Sequence, residues 1–145
     1  MSRAWTDNTL LQKETRLTTG LRCSGIGGCV CARHGVVRRQ GLGDLKKGER
    51  YANMDYILLS ALLGVTLLAI TISYDIACQW KIHLSTRAEK IKDDSELATD
   101  LGSFEIQFAL PVWHAAAHEI TCQTQNSLSY TTGVGRTDGE GIERT

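Results

Sequence analysis

Asp75 stands where a carboxylate can do chemistry. It follows the β-branched run Ala69-Ile70-Thr71-Ile72-Ser73-Tyr74 and opens Asp75-Ile76-Ala77-Cys78-Gln79-Trp80. Hard divalent cations such as magnesium take carboxylate oxygens from separate elements, and the mouth of a buried strand can supply one. Two such ions clamp the attacking and leaving oxygens in phosphodiester chemistry. A helix cap is the plainer role, because Asp75 sits where a helix would start. Glu140 and Glu143 are later carboxylates that can join such a site or simply face solvent.

Softer donors form two groups. Cys23, Cys29, Cys31 and His34 are spaced C-x5-C-x-C-x2-H. Zinc sites more often repeat C-x2-4-C pairs at two places, so a tight Gly-rich turn with incidental thiols is the competing reading. His114, His118 and Cys122 are each four residues apart. On a helix, i and i+4 share a face, so His114 and His118 could grip one ion. Adding Cys122 spans about 12 Å of helix rise, against zinc bonds of about 2.0–2.3 Å. At most two of the three can serve one ion on a straight helix. Ala115 follows His114, which removes the H-E-x-x-H pattern of zinc proteases. Hydrogen-bonded histidines beneath an active face are the alternative. Zinc is thus a candidate ion here, and magnesium at Asp75.

Arg33, Arg38, Arg39, Lys46, Lys47 and Arg50 make a candidate phosphate-facing patch. The stretch Gly133-Val134-Gly135-Arg136-Thr137-Asp138-Gly139-Glu140-Gly141 resembles a phosphate loop only superficially. It lacks the terminal Gly-Lys-Ser/Thr and reads as a mobile turn, with Glu140 and Glu143 as solvated surface.

These residues need elements to position them. The chain has 145 residues, enough for one domain with a core. Its 16 basic and 16 acidic residues cancel, so any nucleic-acid contact must come from local patches. Five cysteines and the lack of an apolar segment after Met1 point to a reducing, intracellular compartment and not to secretion. Residues 1–22 read as a poorly ordered arm and 23–35 as a Gly/Cys-rich loop. A helix is predicted from about Glu49 to Leu63 and a strand from about Thr66 to Tyr74. A second helix is predicted from about Ile76 to Lys92. Phe104, Ile106 and Phe108 alternate with polar residues as a half-buried strand ending at Pro111. His114 to about Thr124 reads as a short helix or ordered loop.

Tyr56 to Tyr74 carries no charge and is long enough to be a membrane-span candidate. Its pattern argues against that. Helix formers fill the first half, Gly64 interrupts, and β-branched residues alternate in the second. A helix, a break and a buried strand explain the change of period. No membrane partner is expected, although a single-pass protein using 56–74 is a rival reading.

Five segments together resemble the KDZ (Kyakuja–Dileera–Zisupton) transposases, abundant in fungal genomes. They are CSGIGGCVCARHG, DLKKGERYANMDY, ISYDIACQW, FALPVWHAAAHEITCQ and GVGRTDGEGIER, in matching order across residues 23–145. The resemblance implies an α/β, partial ribonuclease-H-like core: an incomplete mixed sheet with flanking helices. It further implies a DDE-type carboxylate triad, magnesium or manganese as cofactor, transposon-end and target DNA as partners, and a nuclear location. No small-molecule substrate is implied. Asp75 matches the family's second catalytic carboxylate, and Glu143 or Glu140 the third. His114, His118 and Cys122 match its His/His/Cys motif, as a structural metal site or a support for the active site. The first catalytic Asp, in a segment resembling Asp-x-Asn-Phe, has no match in residues 1–22. The chain therefore reads as a core truncated at both ends and inactive alone. A DNA- or protein-binding remnant is the second reading.

Overall fold

Glycine sets the first element. The computed structural model describes residues 23–45, 50–95, 97 and 99–141. The expected N-terminal arm, Lys46, Lys47 and Glu143 lie outside them. The Gly/Cys-rich stretch, expected as a loop, is instead a strand. β1 (Gly25–Cys31) pairs antiparallel with β2 (Val36–Leu45) across a tight turn at residues 32–35. Gly27 and Gly43 are cross-strand partners. A Cβ on Gly27 would lie 2.7 Å from Ile57 Cδ1, and one on Gly43 would lie 2.9 Å from Ile57 Cγ1. The two glycines thus make the seat into which a helix presses. They also explain the missed strand, because glycine gives no alternating side-chain pattern to read.

That helix is α1 (Tyr51–Leu62), inside the predicted bounds. Ile57, Leu58, Leu59 and Ala61 are buried. After it the chain turns at Gly64, whose φ of 74° is left-handed. β3 (Ala69–Ser73) follows. The uncharged run is therefore a helix end, a turn and a strand. No helix among the described residues is long and apolar enough to cross a membrane.

β3 pairs in parallel with β4 (Glu105–Ala109), from Ala69 opposite Glu105 to Ser73 opposite Ala109. A parallel pair needs a crossover, and helices supply it. The single helix predicted over 76–92 is two: α2 (Ala77–Trp80) and α3 (Leu84–Asp94). His83 between them is left-handed, with φ 64°. The break has a tertiary cause. Arg87 Nη2 donates to the Trp80 carbonyl at 2.7 Å and Nη1 to the Ile82 carbonyl at 2.9 Å. Satisfying those carbonyls from a side chain lets the helix stop and restart.

Arg87 also pairs with Asp55 of α1, which is fully buried. Trp80 Nε1 donates to the same carboxylate at 2.7 Å. Trp80 in turn sits edge-on to Tyr74 and Phe108, with ring centroids 5.3 and 6.0 Å away. One cluster therefore ties α1, α2, α3 and both parallel strands together. Past Pro111 come α4 (Val112–Ala115) and α5 (Ile120–Asn126). Ala115 and Leu110 join Ala77 in a second buried cluster. The result is a mixed α/β fold. In place of one incomplete mixed sheet, the described residues form two separate two-stranded sheets, one antiparallel and one parallel.

Candidate functional site

The C-terminal end of β3 gathers the chemistry. Asp75 lies two residues beyond the strand and is half-buried. Its backbone carbonyl accepts a hydrogen bond from His118 Nε2 at 2.9 Å. A carbonyl can only accept, so Nε2 carries the proton and neutral His118 keeps its lone pair on Nδ1. That nitrogen lies 3.6 Å from Cys78 Sγ and 3.8 Å from Cys122 Sγ. Cys78 comes from α2 and Cys122 from α5, while His118 stands in the turn before α5. Burial, and then a hydrogen bond with Cys122, push the Cys78 thiol up to about 11. Around these thiols, Asn126 Nδ2 reaches Cys122 Sγ at 3.5 Å, and Lys81 Nζ donates to Asn126 Oδ1 at 2.9 Å.

His114 is not part of this group. The straight helix that would have linked it to His118 and Cys122 is broken into α4, a turn and α5. His114 Nδ1 instead meets Glu140 Oε2 at 3.2 Å, and Glu140 Oε1 accepts the Trp113 backbone N–H at 3.0 Å. Glu140 is buried, at 7 % exposure, which corrects the expectation of a solvated surface residue. The loop carrying it is docked: the Val112 N–H donates to the Asp138 carbonyl at 2.9 Å. Gly139 lies against the end of β3, where an added Cβ would come within 2.7 Å of Ser73 Oγ. That hydroxyl is buried with no hydrogen-bond partner.

Cys78 was missed from sequence as a metal donor. Its signal was present, three residues after Asp75 in ISYDIACQW, but nothing in the spacing joins it to residues 40 positions later. The other cysteine group does not converge. Cys31 Sγ and His34 Nδ1 are 3.3 Å apart across the hairpin turn. Cys23 and Cys29 do not complete a metal-holding group with them; Cys78, His118 and Cys122 are the only such group of three among the described residues. The backbone N–H of His34 lowers the Cys31 pKa, whereas burial raises that of Cys29.

Magnesium wants hard oxygen ligands, whereas the gathered donors are two sulfurs and a nitrogen. Glu140 has both oxygens engaged within the fold. Among the described residues, no group of three carboxylates gathers around Asp75. Of the basic patch, Arg33, Arg38, Arg39 and Arg50 are exposed. Arg33 and Arg38, with Arg136, line an open cleft of about 940 Å³ between the hairpin, α1, β3 and residues 133–141.

A family model described as Kyakuja-Dileera-Zisupton transposase matches residues 4–145. The match takes in most of the N-terminal stretch that the five motifs leave out. No curated protein and no solved structure matches the chain.

Proposed function

Because the chain belongs to the Kyakuja-Dileera-Zisupton transposase family, we propose that it is a transposase-derived catalytic-core segment that does not cut DNA by itself. The family match along nearly the whole chain carries this reading. Asp75 at the exit of a parallel strand pair supports a ribonuclease-H-like, DDE-type ancestry. In that ancestry Asp75 is the second carboxylate. With Glu140 held by Trp113 and His114, Glu143 is the better candidate for the third. A nuclear location and the use of magnesium or manganese belong to the same reading.

Inactivity follows from incomplete carboxylates. A metal ion supplies several kcal/mol of transition-state charge stabilisation only when its ligands fix its place. Residues 1–22 hold no segment resembling Asp-x-Asn-Phe, and both Glu140 oxygens are engaged by Trp113 and His114. The test is a nicking assay with purified chain, transposon-end duplex and magnesium or manganese. No product is expected. Metal-dependent nicking that Asp75→Asn abolishes would overturn inactivity and keep the DDE assignment.

DNA binding without cutting is the second reading, favoured by the four exposed arginines on and beside the hairpin. Phosphate contacts release counterions, so binding should fall steeply with salt. Arg38→Glu with Arg39→Glu should weaken duplex binding and flatten the salt slope. A double variant that binds as the parent does would remove the hairpin from the interface.

A further inference from the structure

We propose that Cys78, His118 and Cys122 form a zinc site that clamps the segment after β3 onto α5. The idea stands on the geometry of three side chains and does not depend on the transposase reading.

The distances fit before any ion is placed. Zinc bonds of about 2.3 Å to sulfur and 2.0–2.1 Å to nitrogen meet at the tetrahedral angle. Those bonds put sulfur and nitrogen about 3.6 Å apart and two sulfurs about 3.8 Å apart. The two sulfur–nitrogen distances here are 3.6 and 3.8 Å. All three donor atoms lie within 4.8 Å of one another. Three protein ligands leave the fourth tetrahedral position to water.

The tautomer fits as well. Metal-binding histidines usually donate their other ring N–H to a carbonyl or carboxylate, which orients the ring. His118 does this through Nε2 to the carbonyl of Asp75, aiming Nδ1 at the two thiols. The side-chain N–H of Asn126 points at Cys122 Sγ, and Lys81 holds Asn126 from behind.

Charge balances too. Two thiolates and a neutral imidazole around a divalent ion sum to zero. That suits a half-buried place against the apolar cluster of Ala77, Leu110 and Ala115. Zinc binding there releases the two thiol protons to solvent and changes no oxidation state. Sulfur donors select zinc over magnesium or calcium. The ion would join α2 to α5 and, through His118, hold the backbone at Asp75.

The full chain, purified under reducing conditions with zinc and passed over a sizing column, tests this by metal analysis. One zinc per chain is expected. X-ray absorption at the zinc edge should show two sulfurs at about 2.3 Å and one nitrogen at about 2.0–2.1 Å. Cobalt in place of zinc should give thiolate charge-transfer absorption and tetrahedral d–d bands. Cys78→Ser and His118→Gln should each abolish zinc retention, while His114→Gln and the Cys29→Ser, Cys31→Ser pair should leave it unchanged. Circular dichroism separates ligand loss from unfolding, and the absorption edge of the unmutated chain needs no variant at all. A chain that holds no zinc, an edge without sulfur neighbours, zinc retained by Cys78→Ser, or zinc lost only with Cys29 and Cys31 would each overturn the proposal. None of these outcomes bears on DNA nicking, so the two readings fail separately.

Discussion

Asp55 and Asp75 bound the same uncharged run, yet the fold treats them in opposite ways. Asp55 is fully buried, and its carboxylate takes Trp80 and Arg87 from two other elements. Asp75 is half-buried, and the contact that fastens it to α5's approach runs through its backbone carbonyl. One aspartate serves by its side chain as an internal tie. The other meets His118 through its main chain. Flanking position in sequence therefore says little about what a charge does; what matters is which elements converge on it.

The contrast can be broken most sharply at Asp55. Asp55→Ala leaves the Arg87 guanidinium and the Trp80 N–H without their acceptor, and such a loss costs about 3–5 kcal/mol. Urea unfolding of the two proteins measures it. A change below about 1 kcal/mol would mean the network is slack. Glu140 tests an intermediate case. Glu140→Ala removes the acceptor for Trp113 and the partner of His114, with an expected loss of about 1.5–3 kcal/mol. The same melts would read it, and the docked loop should become protease-sensitive at residues 133–141. Asp75→Asn keeps the backbone carbonyl that accepts from His118, so it should cost less than Asp55→Ala. If it unfolds the chain as badly as Asp55→Ala, the distinction between the two ends of the run is lost.

The smallest effect separates two thiols in the hairpin. Cys31 has its pKa lowered by the His34 backbone N–H, and Cys29 has its pKa raised by burial. At about pH 8 the thiolate fraction, and hence the alkylation rate, should be greater for Cys31. Mass spectrometry after a short iodoacetamide pulse distinguishes them. Equal rates would show that burial does not protect Cys29.

How much was legible depended on whether neighbours or distant partners decided the outcome. α1, β3 and β4 follow from apolar pattern and fall within a few residues of their predicted places. The hairpin was hidden because its strand residues are chosen for the approach of Ile57, which only the packed helix reveals. The break at His83 was hidden because Arg87 satisfies carbonyls that helix periodicity would assign to amides. Of the candidate site, His118 and Cys122 were named with His114, but helix spacing singled out His114 and His118 as the pair. Cys78 replaced His114 because a turn, not a straight helix, links α4 to α5.

The parallel pairing of β3 with β4 carries a consequence in time. Thr71 meets Gln107 across 36 positions, whereas the hairpin closes over a turn at residues 32–35. Closing a long loop costs entropy before any contact returns it, and folding rates fall as such separations grow. The hairpin is therefore expected to gain protection first, and the strand that delivers Asp75 last. Pulse-labelled hydrogen exchange during refolding should show amides of Val36–Leu45 protected ahead of those of Ala69–Ser73; the reverse order would make the crossover, and not the hairpin, the first structure to form.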